Sequence, residues 1–200
     1  MQLPAYDEVH DDKIISEVQV RFAKETRQLR KLGFTEEFYI RETIPSSISF
    51  MWLFLLAYVV HRYFFSASVF RVNPLLHIST FNPYVIHEDG YAYTVMGNGR
   101  IKYATIFDDG TLLHTITGEA FKHSNMPQHR YLFQMPHPGD AAQSWQAHVK
   151  KVGQLVNEGR SVISPLRISD VIQMEMRADQ ILSGQAVDEW DDSSHKKNEF

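Results

Sequence analysis

From Thr43 to Val60 the chain carries no charged side chain, and Phe50 to Val60 is wholly apolar or aromatic. Eighteen residues at about 1.5 Å rise make a helical rod of roughly 27 Å, close to the hydrocarbon thickness of a bilayer. A helix satisfies its own backbone amides in lipid, so the run predicts a single transmembrane helix, placed at 43–70. Pro45 suits a helix start. Ser46, Ser47 and Ser49 dilute the first turns, and His61 and Arg62 interrupt the apolar character before Tyr63–Phe70 resumes it. Two other readings of such a run are a buried core helix and an interfacial or re-entrant element.

The flanks give an orientation. Lys24, Arg27, Arg30, Lys31 and Arg41 precede the run, whereas only Arg62 and Arg71 follow it closely. Retention of positive charge on the inner side places the N-terminus in the cytoplasm and the C-terminal part outside. The polar stretch in front is too long for a signal peptide, so the segment is expected to remain as an anchor. The lipid bilayer is thus one expected partner.

Composition narrows the classes. A net charge of −4 gives no footprint for nucleic acid, so none is expected as a partner. There are no cysteines, which excludes disulfides, thiolate metal sites and a cysteine nucleophile.

Residues 1–42 are expected to hold an amphipathic helix at about 12–32. Asp11 or Asp12 caps it, and Ile15, Val18, Phe22, Leu29 and Leu32 recur at helical steps. Gly33 stops it. Its apolar stripe can pack on the chain itself, on a partner or on anionic lipid.

Residues 71–185 read as an α+β extramembrane domain. Asn73-Pro74 and Asn82-Pro83 punctuate a linker. Three strands follow at Tyr91–Met96, Arg100–Phe107 and Thr111–Ile116, separated by Gly97-Asn98-Gly99 and by Asp109-Gly110. A fourth at Tyr131–Met135 extends the small antiparallel β-meander. Asp140 caps a covering helix to about Asn157, with Ala141, Trp145, His148, Val149, Val152 and Val156 on one face. A second helix, Ser169–Leu182, uses Val171, Ile172, Met174, Met176, Ile181 and Leu182. One or two helices thus cover one face of the meander. Residues 186–200 form a polar tail expected to be disordered.

The run Thr105-Ile106-Phe107-Asp108-Asp109-Gly110-Thr111-Leu112-Leu113-His114-Thr115, followed by Met135-Pro136 and Trp145-Gln146-Ala147-His148, resembles a pattern in uncharacterised bacterial membrane-anchored proteins. Leu32-Gly33-Phe34 after a basic helix is also similar, and the likeness spans residues 22–150. The group has no assigned activity, so the resemblance implies no catalytic residue.

Histidines are the candidate metal ligands: His114, His123, His129 and His148. Close pairs such as i and i+4 on one helix are missing. His123 and His129 flank a loop, and His114 and His148 can approach each other across the core. Asp108 and Asp109 serve turn geometry. No Gly-x-Ser-x-Gly elbow and no phosphate-cradling loop is present. No catalytic residue and no cofactor is expected. The sequence therefore points to a membrane-anchored, non-catalytic interaction or accessory module with a protein partner. A membrane-bound enzyme or metal-dependent sensor using the loop histidines is the alternative.

Overall fold

Strand β6 (Arg100–Ile106) shows why helices cover both faces of the sheet. Its alternate residues Ile101, Tyr103 and Thr105 are buried on one side, and Ala104 and Ile106 are buried on the other. The computed structural model describes residues 4–45, 69–73, 77–97, 100–117 and 129–184. Before β6 come β1 (Ala5–Glu8), α1 (Asp12–Arg30), β2 (Phe34–Pro45), β3 (Val69–Asn73), β4 (His77–His87) and β5 (Ala92–Gly97). After it come β7 (Leu112–Thr117), β8 (Leu132–His137), α2 (Ala141–Asn157) and α3 (Ile168–Leu182). The eight strands form one sheet in the order β1-β2-β4-β5-β6-β7-β8, with β3 on β4. The class is α+β.

The sheet overturns the single transmembrane helix at 43–70 and the orientation built on it. Thr43, Ile44 and Pro45 end β2, in register with Ser79, Ile78 and His77. Val69 and Phe70 open β3, in register with Phe81 and Thr80. Thr43 and Arg71 both face Ser79, so β2 and β3 flank β4 on opposite sides. One helix crossing a bilayer leaves its flanks in different compartments and cannot deliver both to one sheet. Among the described residues no helix is long and apolar enough to cross a membrane. Residues 46–68, the centre of the expected anchor, lie outside the described residues, as does the expected tail at 186–200.

The expected linker is also corrected. Residues 69–73 and 77–87 are strand, and Pro83 within β4 does not prevent it, whereas Pro74 lies outside the described residues. β3 is registered with β4 up to Phe81 and β5 from Tyr84, so Asn82 and Pro83 are registered with β2 alone. A missing N–H disturbs the ladder least at such a gap. Strand β8 runs parallel to β7, contrary to the antiparallel meander. Leu112 N donates to Tyr131 O, so Tyr131 turns its backbone oxygen to β7 and Leu132, Gln134 and Pro136 turn theirs away. Pro136 thus lacks its N–H on the outer side, which blunts the edge.

The helices lie on both faces instead of one. Val18, Phe22 and Leu29 of α1 pack with Phe34, Phe81, Val85 and Tyr103, and Ala141 and Trp145 of α2 join that layer. Val171, Met174, Ala178 and Ile181 of α3 pack on Phe38, Ile40, Tyr84, Ile106 and Leu112 on the other face. The stripe of α1 is therefore spent on its own chain. In α2 the inner face is Ser144, His148, Val152 and Leu155, and Val149 and Val156 point outward. In α3 it is Met176 and Leu182 that are exposed.

Caps fix the helix starts. Asp11 accepts from Lys13 N at 3.0 Å and Ile14 N at 3.1 Å. Asp140 accepts from Gln143 N at 2.9 Å, and Gln143 Oε1 accepts in return from Asp140 N, a full capping box. Gly33 ends the α1 turn at φ +88°, and a Cβ there would lie 2.7 Å from His87 Nε2 and 3.0 Å from Glu88 Oε1. Left-handed backbone costs an alanine about 1–2 kcal/mol before any clash. Gly33→Ala is expected to lower stability by about 2 kcal/mol in urea unfolding, and an unchanged midpoint would refute this geometry.

Candidate functional site beneath the last helix

On the α3 side of the sheet, one end of the core is polar. Alternation puts Lys102 on the same face as Ala104 and Ile106, where a strand covered by a helix demands an acid for its cation. Glu175 on α3 supplies it. Lys102 Nζ donates to Glu175 Oε1 at 2.8 Å and Oε2 at 2.6 Å, and Tyr93 Oη donates to Oε1 at 2.8 Å. One turn later Asp179 accepts from Tyr6 Oη of β1 at 2.5 Å, and Glu42 of β2 accepts from Thr80 Oγ1 at 3.2 Å. Glu175 is only 4 % exposed.

Burial and neighbouring charge divide these groups. Burial pushes the Glu175 carboxyl upward, but the Lys102 ammonium and the hydrogen bonds from Lys102 and Tyr93 outweigh it, so its pKa lies below the usual range. Burial, with Asp179 as the next cause, raises the Glu42 pKa, and burial also raises that of Asp179. Tyr93, Tyr84 and Tyr6 are raised by burial, with nearby carboxylates adding to it. The arrangement holds one ion pair tightly and leaves two carboxyls that favour a proton. Tyr6→Phe removes the link from β1 to α3 and is expected to cost about 1–2 kcal/mol. Equal unfolding midpoints for Tyr6→Phe and the parent chain would show that the link carries no stability.

The candidate histidines do not converge. His114 on β7 lies in this polar end, with Nε2 3.8 Å from Glu175 Oε1, a separation too long for a hydrogen bond. His148 on α2 lies behind the sheet, between Thr105 Oγ1 at 2.9 Å from Nε2 and Thr115 Oγ1 at 2.9 Å from Nδ1. Adjacent residues His114 and Thr115 point to opposite faces, so the sheet separates the two imidazoles. Burial lowers both pKa values to about 3, and Lys102 is the second cause at His114. At neutral pH both rings are therefore uncharged. His129 precedes β8 and accepts from Tyr131 N at 3.2 Å through Nδ1. His123 lies outside the described residues. Among the described residues no three His, Asp or Glu side chains form a group able to hold a metal ion.

Trp145 anchors α2 over the sheet. Its ring meets Phe34 at 4.9 Å, His87 at 5.1 Å, Tyr103 at 5.4 Å and His148 at 5.5 Å between centroids. The Trp145 and His148 of the recognised run thus serve packing in this fold.

Sequence reasoning missed Lys102, Glu175, Tyr93, Tyr6, Asp179 and Glu42. A signal was present: Glu175 and Asp179 are spaced i and i+4 on one helix, beside the apolar Met174, Ala178 and Ile181, and Lys102 stands between apolar strand residues. Comparison with protein-family models, curated proteins and solved structures yields no match.

Proposed function

We propose that the protein is a non-catalytic interaction module that docks a protein partner on the outer face of α2. The observation that supports this reading is the character of that face. Ala142, Gln146, Val149, Gly153 and Val156 follow one another at four- and three-residue steps, and all are exposed. None carries a charge. Val149 is 40 % and Val156 43 % exposed, and a Cβ on Gly153 would meet nothing within 4 Å. Such a strip admits close approach by another apolar element, and large aliphatic side chains left in water at heptad spacing favour a partner. The polar end beneath α3 fits a structural role beside it: Glu175 and Asp179 on α3 hold the sheet through Lys102, Tyr93 and Tyr6.

The test places a photo-crosslinking side chain at Val149 in the whole chain and irradiates it in an extract of its own cells. The reading predicts one saturable adduct, competed by the unlabelled chain and lost when Val156→Glu is added. An adduct formed equally from a crosslinker at exposed Glu158, or none competed by the unlabelled chain, overturns it.

A further inference from the structure

We propose that α3 is an acid-released latch, in which a proton on His114 opens α3 away from the sheet while α1 stays packed. His114 is 3 % exposed, and among the described residues its Nε2 makes no hydrogen bond. Burial and the Lys102 ammonium oppose a charge on its ring, and Glu175, 3.8 Å away, favours one but is already held by Lys102. Lys102 faces it from β6, Glu175 from α3 and Tyr93 from β5 through the shared carboxylate. Uncharged Gln134 is its register partner on β8, and His148 of α2 lies behind the sheet. Further along the same cluster stand Asp179 of α3, Glu42 of β2, Tyr84 of β4 and Tyr6 of β1.

A proton on His114 sets a second cation beside Lys102 and asks Glu175 to serve both. Water is the remedy, and the α3 side is where it enters, because among the described residues the other neighbours on that face, Lys102, Tyr93 and Gln134, belong to strands of the sheet. Among the described residues helix α3 follows all eight strands in chain order, so lifting it breaks no strand pairing. Its departure bares an apolar floor that includes Tyr84, Ile106 and Leu112. Closed, the site holds the His114 pKa at about 3; open, the ring returns towards its ordinary 6.5, so the proton and the opening are linked.

Hydrogen exchange of the whole chain, corrected for the intrinsic pH dependence of exchange, tests this between pH 7.5 and 5.0. The opening constant of α3 amides is expected to rise about thirtyfold, the change carried by one proton, and to exceed that of α1 amides at pH 5.0. H114Q flattens the rise, and H148Q leaves it. A single opening constant shared by α3 and α1 at pH 5.0 overturns the proposal, as does an undiminished rise in H114Q. Should H114Q fail to fold, the comparison of α3 with α1 in the parent chain decides alone.

Discussion

Lowering the pH from 7.5 to 5.5 is expected to cost the fold about 3 kcal/mol through two buried histidines. His114 and His148 have folded pKa values of about 3, against 6.5 in the unfolded chain. Below pH 6.5 the unfolded chain binds more protons than the folded one, so stability falls with pH at about 1.4 kcal/mol per unit for each ring. A lowered histidine pKa thus gives stability that is fully present above 6.5 and is lost on acidification. Glu42 and Asp179 work in the opposite sense, since their raised folded values favour protons in the folded state and return part of the loss. Glu175, held low, adds to the loss below the ordinary carboxylate range. Domains of ordinary stability hold about 5–15 kcal/mol, so the shift is a large share. Urea unfolding across this range checks it, and H148Q is expected to halve the slope. A stability that stays level from pH 7.5 to 5.5 would show that neither ring is held neutral.

Removing the cation opposite Glu175 is the second large effect. Lys102→Met leaves a carboxylate that is 4 % exposed with Tyr93 as its remaining donor. Breaking one half of a buried pair costs about 3–5 kcal/mol, and the 23 % exposure of the Lys102 side chain favours the lower end, about 3 kcal/mol. Replacing both partners by Lys102→Met with Glu175→Met is expected to restore most of the loss, because the orphaned charge is gone. The single variant also recovers as the pH falls, since Glu175 then takes a proton. A double variant as unstable as the sum of the singles would mean that the ion pair is not the source of the effect.

What could be read from the sequence follows from local chemistry. An aspartate cap, helical spacing and a glycine stop mark α1, and β5, β6 and β7 stand out as runs of strand formers; β6 and β7 are joined through Asp109-Gly110. These signals sit within a few residues of what they determine. Strand β2 was hidden because the Thr43–Pro45 end of a strand reads equally as the uncharged start of a helix. Phe38-Tyr39-Ile40 gave the strand's own signal but lay beside a stronger hydropathy run. The pairing of β2 and β3 with one β4 is non-local and has no signature in either segment. The rotation of α2 that turns Val149 outward depends on where the sheet lies. The ion pair under α3 joins Lys102 to Glu175 across 73 residues of chain, so neither residue alone announced it. As residue types His114 and His148 suit metal chemistry, whereas the fold holds them as neutral groups on opposite sides of a sheet.

The central claim is that strands on either side of residues 46–68 belong to one sheet. Thr43 Oγ1 and Ser79 Oγ lie 3.3 Å apart across β2 and β4, and the chain has no cysteine of its own. With Thr43→Cys and Ser79→Cys introduced together, mild oxidation should close an intramolecular disulfide at near-complete yield, while Thr43→Cys with Thr94→Cys stays reduced. A Thr43→Cys, Ser79→Cys chain that keeps both thiols free under those conditions would contradict the account.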